Sequence, residues 1–182
     1  MIKKEEEFRK EAVLWVAQQM CLAARTAPKA RGLDLLEITV ASDDTIEKIS
    51  KKMKEIAERE QHQTFLRDSE NVKSAQAIVL MGTKIKVIGL KYCSFCGFSN
   101  CAEAEAARAI CAYNTGDLGI AIGSAAAVAA DHRVDNRIMY TVGVAALEMK
   151  LFPAEVKVAF GIPLSVSSKN PFFDRRQKCL TG

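Results

Sequence analysis

The sequence predicts an α/β protein of the α+β type, a single domain over residues 1–182 with a sheet flanked by helices. Three observations carry that expectation. Segments of helical period and short β-branched runs follow one another along the whole chain instead of separating into blocks. Apolar residues make up 49% and charged residues 26% of 182 residues, which supports one ordinary core without disulfide staples. No repeat, low-complexity tract or linker interrupts the pattern.

The elements follow in order. A first helix is expected from Lys4 to Ala24, with Ala12, Leu14, Trp15, Val16, Met20, Leu22 and Ala23 as a broad apolar face and Pro28 forbidding continuation. Leu35 to Val40 reads as a strand. Ser42 to Asp44 offers caps for a charged helix whose buried stripe is Ile46, Ile49, Met53 and Ile56. A further helical piece spans Gln63 to Lys73. Ala77 to Met81 is a continuous apolar run and so a buried strand, which Val87 to Leu90 continues or repeats. After a cysteine loop, a helix is expected over Ala102 to Ala112, punctuated by Asn114-Thr115-Gly116. Asp117 then caps a helix of small residues to Ala130, and Asn136 opens another towards Met149. Val156 to Phe160 is the last strand, and the tail from Gly161, with Pro163 and Pro171, reads as a loop or arm.

Charge and hydropathy exclude several classes of function. The net charge is +4, but basic and acidic residues are interleaved nearly everywhere. Only Lys169, Arg175, Arg176 and Lys178 against Asp174 form a basic cluster, which suits a local anion site and not a nucleic-acid surface. The N-terminal MIKKEEEFRK lacks the apolar core of a signal peptide. The longest uncharged apolar stretch, Leu118 to Ala130, is 13 residues, short of the roughly 20 that span a bilayer. The expected location is cytoplasmic, where clustered thiols point to metal or redox chemistry before disulfides.

Four of six cysteines fall between positions 93 and 111. In Tyr92-Cys93-Ser94-Phe95-Cys96-Gly97-Phe98-Ser99-Asn100-Cys101 the turn between Cys93 and Cys96 brings two thiolates to one metal or cluster. Gly97 lets the backbone close around it. Cys101, at a helix start, is a third ligand whose environment favours thiolate. Cys111 is the candidate for the fourth, but one straight helix would place it about 15 Å of rise from Cys101. Cys21, or an open position, is the alternative. Iron–sulfur, of the 4Fe-4S type, is favoured over zinc, which prefers two C-x-x-C pairs, and His62 and His132 are isolated. Taken singly, Cys21, Cys111 and Cys179 also read as packed core thiols. A thiol enzyme using Cys93 or Cys96 lacks a neighbouring histidine as base.

The chain resembles the uncharacterised bacterial and archaeal proteins containing a ferredoxin domain. The resemblance rests on Cys93-x-x-Cys96-Gly97-Phe98-x-x-Cys101, on Asp117-Leu118-Gly119-Ile120-Ala121-Ile122-Gly123-Ser124, on Asp135-Asn136-Arg137-Ile138-Met139-Tyr140 and on Gly161 to Arg175. It implies an iron–sulfur site. More remotely, the order of parts is similar to the flavin-dependent nitroreductase fold, which implies a mixed sheet flanked by helices with the cysteine loop, residues 91–111, inserted. Ala23-Ala24-Arg25-Thr26-Ala27-Pro28 is similar to that family's turn beside the flavin. Gly161-Ile162-Pro163 with Lys169 and Arg175 is similar to its closing strand and phosphate contacts. The chain lacks that family's R-x-S-x-R clamp and has Lys29 and Arg31 where its turn carries Ser and Asn.

The expectation is therefore a homodimeric redox protein. Cys93, Cys96, Cys101 and Cys111 are the metal ligands. Arg25, Thr26, Lys29, Arg31, Lys169 and Arg175 face an FMN or other phosphate. The expected activity is electron transfer or a reductase reaction with an unnamed redox partner or small substrate. The alternative is a non-enzymatic cluster-binding or redox-sensing module. The dimer is expected because Gly119, Ala121, Gly123, Ala125, Ala126, Ala127, Ala129 and Ala130 leave one helix apolar all round. Phe172-Phe173 are expected to pin the C-terminal arm.

Overall fold

The computed structural model describes residues 1–173. Ten elements follow in order: α1 (Arg9–Thr26), β1 (Leu36–Ala41), α2 (Asp44–Arg59), α3 (Gln63–Val72), β2 (Ala77–Lys84), α4 (Cys101–Ala106), α5 (Ala112–Asp131), β3 (Asp135–Asn136), α6 (Tyr140–Glu148) and β4 (Val156–Ser165). The sheet order is β1-β2-β4-β3 and every described pairing is antiparallel. The expected α+β layering holds, but the sheet is antiparallel where a mixed one was expected.

Period-two alternation in β2 divides two cores. Ala77, Val79 and Met81 face α1 and α5, where Val13, Ala17, Met20, Leu118, Ala121 and Ala125 are buried. Ile78 and Leu80 face the opposite layer, where the predicted stripe Ile46, Ile49, Met53 and Ile56 of α2 meets Phe65, Val142 and Phe172. Glycine sets the closest approach. A Cβ on Gly143 of α6 would lie 1.8 Å from the Ala159 carbonyl oxygen, and one on Gly161 would lie 2.2 Å from Val142 Cγ1. The helix backbone therefore rests directly on β4.

Several boundaries move, each for a physical reason. α1 starts at Arg9 after a short turn over Glu5–Glu7, and stops where Ala27, preceding Pro28, is forced extended (ψ 138°). At the start of α2, Asp43 takes a left-handed φ of 54° and pairs with Lys10 instead of capping. Val87 to Leu90 forms no strand. β4 extends to Ser165, through Pro163. Gly161 exchanges both backbone bonds with Met139, at 3.0 and 2.8 Å, so odd-numbered residues of β4 face away from β2. Pro163 thereby points its missing N–H at the gap between Asn136 and Met139, where no ladder bond is lost. No helix among the described residues is long and apolar enough to cross a membrane.

The correction that matters most falls between α4 and α5. The expected helix from Ala102 to Ala112 stops at Ala106, closed by bonds from Ala107 N to Glu103 O and from Ala109 N to Ala104 O around Arg108 (φ 53°). α5 then begins at Ala112, not at Asp117. Asn114-Thr115-Gly116 lies inside it, because the Thr115 hydroxyl folds back on Ala112 O (3.0 Å) and Asn114 bonds across to another segment.

Candidate functional site

Leaving β2, the chain is tied at two points before the cysteines. Lys86 N donates to Asn114 Oδ1 on α5 (3.0 Å), and Arg31 Nη1 donates to the carbonyls of Ile88 (3.0 Å) and Gly89 (3.2 Å). Residues 91–100 then form a lightly held loop. Gly97 N reaches Ser94 O (2.9 Å), with Ser94 and Gly97 both at positive φ, 149° and 84°. At Gly97 this conformation is free of Cβ strain. The loop ends in a side-chain N-cap: Asn100 Oδ1 accepts from Glu103 N (3.0 Å), and the Glu103 carboxylate accepts from Ser99 N (3.3 Å) and Asn100 Nδ2 (2.9 Å). That cap fixes Cys101 as the first residue of α4, with its Sγ 3.9 Å from Leu90 O.

The break after Ala106 turns the chain back, so Cys111 becomes the N-cap of the 20-residue α5 and is 6% exposed. Cys93, Cys96, Cys101 and Cys111 consequently line one cavity, walled by Val87, Ile88, Leu90, Phe98 and Tyr113 among others. All four sulfurs belong to free cysteines, three half-buried and one buried. The open space is about 20 Å³, room for about one water. Among the described residues no three Cys, His, Asp or Glu side chains converge tightly enough to hold one metal ion. Cys21 does not line this cavity. It packs on α1 against the α1/α5 core, and burial pushes its thiol pKa up against the lowering influence of Arg25.

A second cavity, about 370 Å³, lies alongside and shares Phe95, Ala112 and Tyr113 with the first. Its other walls are Pro28, Lys29, Ala30, Gly116, Asp117 and Ile120, so the turn after α1 does adjoin the cysteine loop. Phe95 and Tyr113 stack at 5.9 Å between ring centroids, 24° apart in plane. The polar groups of the turn are engaged within the chain. Arg25 pairs with Asp34 (2.6 Å) and donates to Leu36 O (3.2 Å); Thr26 donates to Ala23 O (3.2 Å). Lys29 closes the end of α1 through the carbonyls of Ala24 (2.8 Å) and Arg25. Ala30 N donates to Asp117 Oδ2 (3.0 Å).

Lys169 is exposed in the loop after β4, where its carbonyl accepts from the Ser167 hydroxyl (2.6 Å). Phe172 is wholly buried, and its carbonyl accepts from Arg137 (3.0 Å) and Asn71 (3.3 Å), which pins the arm as expected. Phe173 is half-exposed beneath the Arg137 guanidinium. Arg175, Arg176, Lys178 and Cys179 lie outside the described residues. Sequence reading missed Asn114 and Asp117 as inward groups. The signal was present: carrying the buried stripe Ala125, Ala121, Leu118 back in steps of three and four reaches Asn114 and Cys111.

This layered arrangement is the nitroreductase fold. Nitroreductase CinD from Lactococcus lactis, solved in complex with nicotinic acid, matches with a TM-score of 0.62 at 13% identity, over 92% of this chain and 81% of that one. A nitroreductase with bound FMN from Desulfitobacterium hafniense DCB-2 matches with a TM-score of 0.59 at 12% identity, over 93% and 81%. Within that fold the sequence is more particular. The family described as uncharacterized proteins containing a ferredoxin domain matches over residues 107–175, a segment that includes Cys111 and begins after Cys101. An uncharacterized protein of Archaeoglobus fulgidus is 41% identical over 187 residues, covering 98% of this chain and 100% of that protein. The chain belongs to this family of ferredoxin-domain-containing proteins.

Proposed function

We propose that the chain is a redox protein in which Cys93, Cys96, Cys101 and Cys111 hold an iron–sulfur cluster of the 4Fe-4S type. The observation that carries the reading is the single cavity lined by all four thiols, the fourth delivered by the break between α4 and α5. The donor set fits: four cysteines and no histidine or carboxylate is the ligand chemistry of such clusters. The sulfurs share a cavity and not a point, which suits one thiolate per iron better than a single zinc holding every donor at about 2.3 Å. Space is the feature that must change on loading, because about 20 Å³ is less than a multi-iron cluster needs. The loop over residues 91–100, with one internal backbone bond besides its cap and the Phe95–Tyr113 stack, is the wall that would have to give.

Bound there, such a cluster accepts and donates single electrons. The chain's own contributions are separate. Cys101 is placed by the first turn of α4 and Cys111 by the N-cap of α5. Phe95, Phe98 and Tyr113 line the same cavity as the four thiols. Family membership and the flavoprotein fold of the solved relatives support a redox role. Anaerobic preparation followed by a visible spectrum and iron, sulfide and zinc analysis tests the proposal. Brown protein with iron and sulfide is expected; colourless protein with stoichiometric zinc refutes it.

Flavin is a second reading, favoured by the cavity beside Pro28-Lys29-Ala30. Its ring would lie there, but the fit is partial, since Arg25, Thr26, Lys29 and Arg31 direct their donors to the chain. The phosphate would rest on Lys169 and Arg175. We also propose a homodimer through the outer face of α5, where Gly116, Gly119, Ile120, Gly123, Ala127 and Ala130 are exposed in one stripe. Next to it on α1 stand exposed Trp15 and Leu22. Ala127→Arg should convert a sedimenting dimer to monomer, and a wild-type chain monomeric at micromolar concentration would end this part of the proposal.

A further inference from the structure

Asp117 is 8% exposed, and its carboxylate is short of partners. Oδ2 accepts from Ala30 N at 3.0 Å, and no other hydrogen bond or ion pair reaches the group among the described residues. Helix capping does not account for it, because Asp117 stands in the second turn of α5, past the amides that lack partners. Nor is Oδ1 sealed in: among the described residues the only side-chain atom both sealed from solvent and unpartnered is Asn114 Nδ2. Oδ1 therefore reaches open space, and the open space that Asp117 lines is the cavity of about 370 Å³ beside the cysteine loop. The rest of that wall is largely apolar, with Pro28, Ala30 and Ile120 in it and the Phe95–Tyr113 stack along one side. Lys29, the one cation in the wall, turns its Nζ to the carbonyls of Ala24 and Arg25.

A carboxylate that has left water normally keeps a cation or several donors, because an unpaired charge is costly to bury. An asparagine at this position would hold Ala30 N without that cost. We propose that the cavity is a binding site for a small aromatic cation, its N–H donating to Asp117 Oδ1 and supplying the missing positive charge, its ring against Phe95, Tyr113 and Ile120. The volume falls in the range of about 300–1,000 Å³ in which small molecules bind, and the apolar wall suits a planar ring. The aromatic faces in the wall attract a cation, and the carboxylate that recognises it turns away an anion of the same size. The inference uses this second cavity alone and does not rest on the cluster. A neutral flavin ring would take the same space but leave the charge of Asp117 unmatched, so the two occupants are distinguished by charge.

Benzamidine, benzamide and benzoate carry the same ring with a cationic, neutral or anionic head of nearly equal size. Calorimetric titration of the full-length chain with the three reads the charge preference directly. Benzamidine is expected to bind about tenfold or more tighter than benzamide, the least that a charge-assisted hydrogen bond is worth, and benzoate is expected not to bind. Asp117→Asn keeps an oxygen for Ala30 N and removes the charge, so it should weaken benzamidine by about ten- to a hundredfold. Asp131→Asn, which removes the same charge from the exposed end of the same helix, should leave that affinity unchanged. Equal binding of all three compounds, no binding of benzamidine up to millimolar concentration, wild-type affinity in Asp117→Asn, or an equal loss in Asp131→Asn overturns the inference. So does protein purified with stoichiometric FMN that shuts benzamidine out. If Asp117→Asn does not fold, amide NMR of the wild-type chain decides. Benzamidine should then shift the Ala30 and Gly116 signals and benzoate should not, and shifts confined to residues elsewhere overturn the inference.

Discussion

Replacing Cys111 by alanine separates a ligand from a packed thiol. The side chain is 6% exposed at the start of α5, so its packing value can be set beside its proposed role. Removing one buried sulfur costs roughly 1 kcal/mol of transfer free energy, about that of a methylene. Some 20 Å³ of new void at about 24 cal/mol per Å³ adds about 0.5 kcal/mol. The apo protein should therefore lose about 1.5 kcal/mol, which for a chain of this size is about 3–6 °C in Tm. Cluster content should respond out of all proportion to this: Cys111→Ala is expected to lose most of its iron and sulfide on chelator challenge. Cys21→Ala, with a comparable small loss in Tm, should keep the wild-type amount. The assay pairs apo thermal melts with iron and sulfide counts. Wild-type iron retained in Cys111→Ala would refute the reasoning, because the break after Ala106 would then serve packing alone.

Gly143→Ala should destabilise the protein by about 3 kcal/mol or more, since its Cβ would lie 1.8 Å from a backbone carbonyl oxygen that cannot rotate away. Gly119→Ala, with open space at its Cβ, should be neutral or stabilising by up to about 1 kcal/mol in a monomer; urea denaturation of both variants checks the contrast. Asp68 is 2% exposed and accepts from Arg67 (2.8 Å) and Thr141 (2.8 Å), with Arg137 at 3.7 Å. Asp68→Ala should cost about 3–5 kcal/mol by leaving partly buried cations uncompensated, and a loss under 1 kcal/mol would show the cluster to be ornamental. Burial acts to raise the Asp34 pKa, but bonds from Arg25 and Leu36 N outweigh it and hold the carboxyl below its ordinary value. Its contribution is thus present above about pH 4 and lost as pH falls through the lower folded value. Because the pair is partly exposed the effect stays under about 1 kcal/mol: wild type should lose slightly more stability than Asp34→Asn between pH 5 and pH 3.

The sequence by itself determined the layers and the nearness of three of the four candidate cysteines. Period-two and period-3.6 spacing are local properties of the chain, so the buried stripe of α2, the run Ala77–Met81 and the apolar face of α1 could be read from residue order alone. Cys93, Cys96 and Cys101 are likewise close in sequence and line one cavity, although no three side chains there converge on a single metal ion among the described residues. What only the tertiary structure decided lies where two distant segments compete for one residue. Asn114-Thr115-Gly116 has the composition of a turn, yet it is helical because Asn114 has a partner at Lys86 and the helix has a core to cover. Pro163 looks like the end of a strand and is tolerated inside one, because the neighbouring chain leaves the ladder at that point. Cys111 turns on the same kind of contest. Propensity favours carrying the alanine-rich segment straight through it, about 15 Å beyond Cys101. The backbone instead breaks at Arg108, so that α5 can lie against α1 and the sheet, and burial of that long helix outweighs a few residues of helical preference.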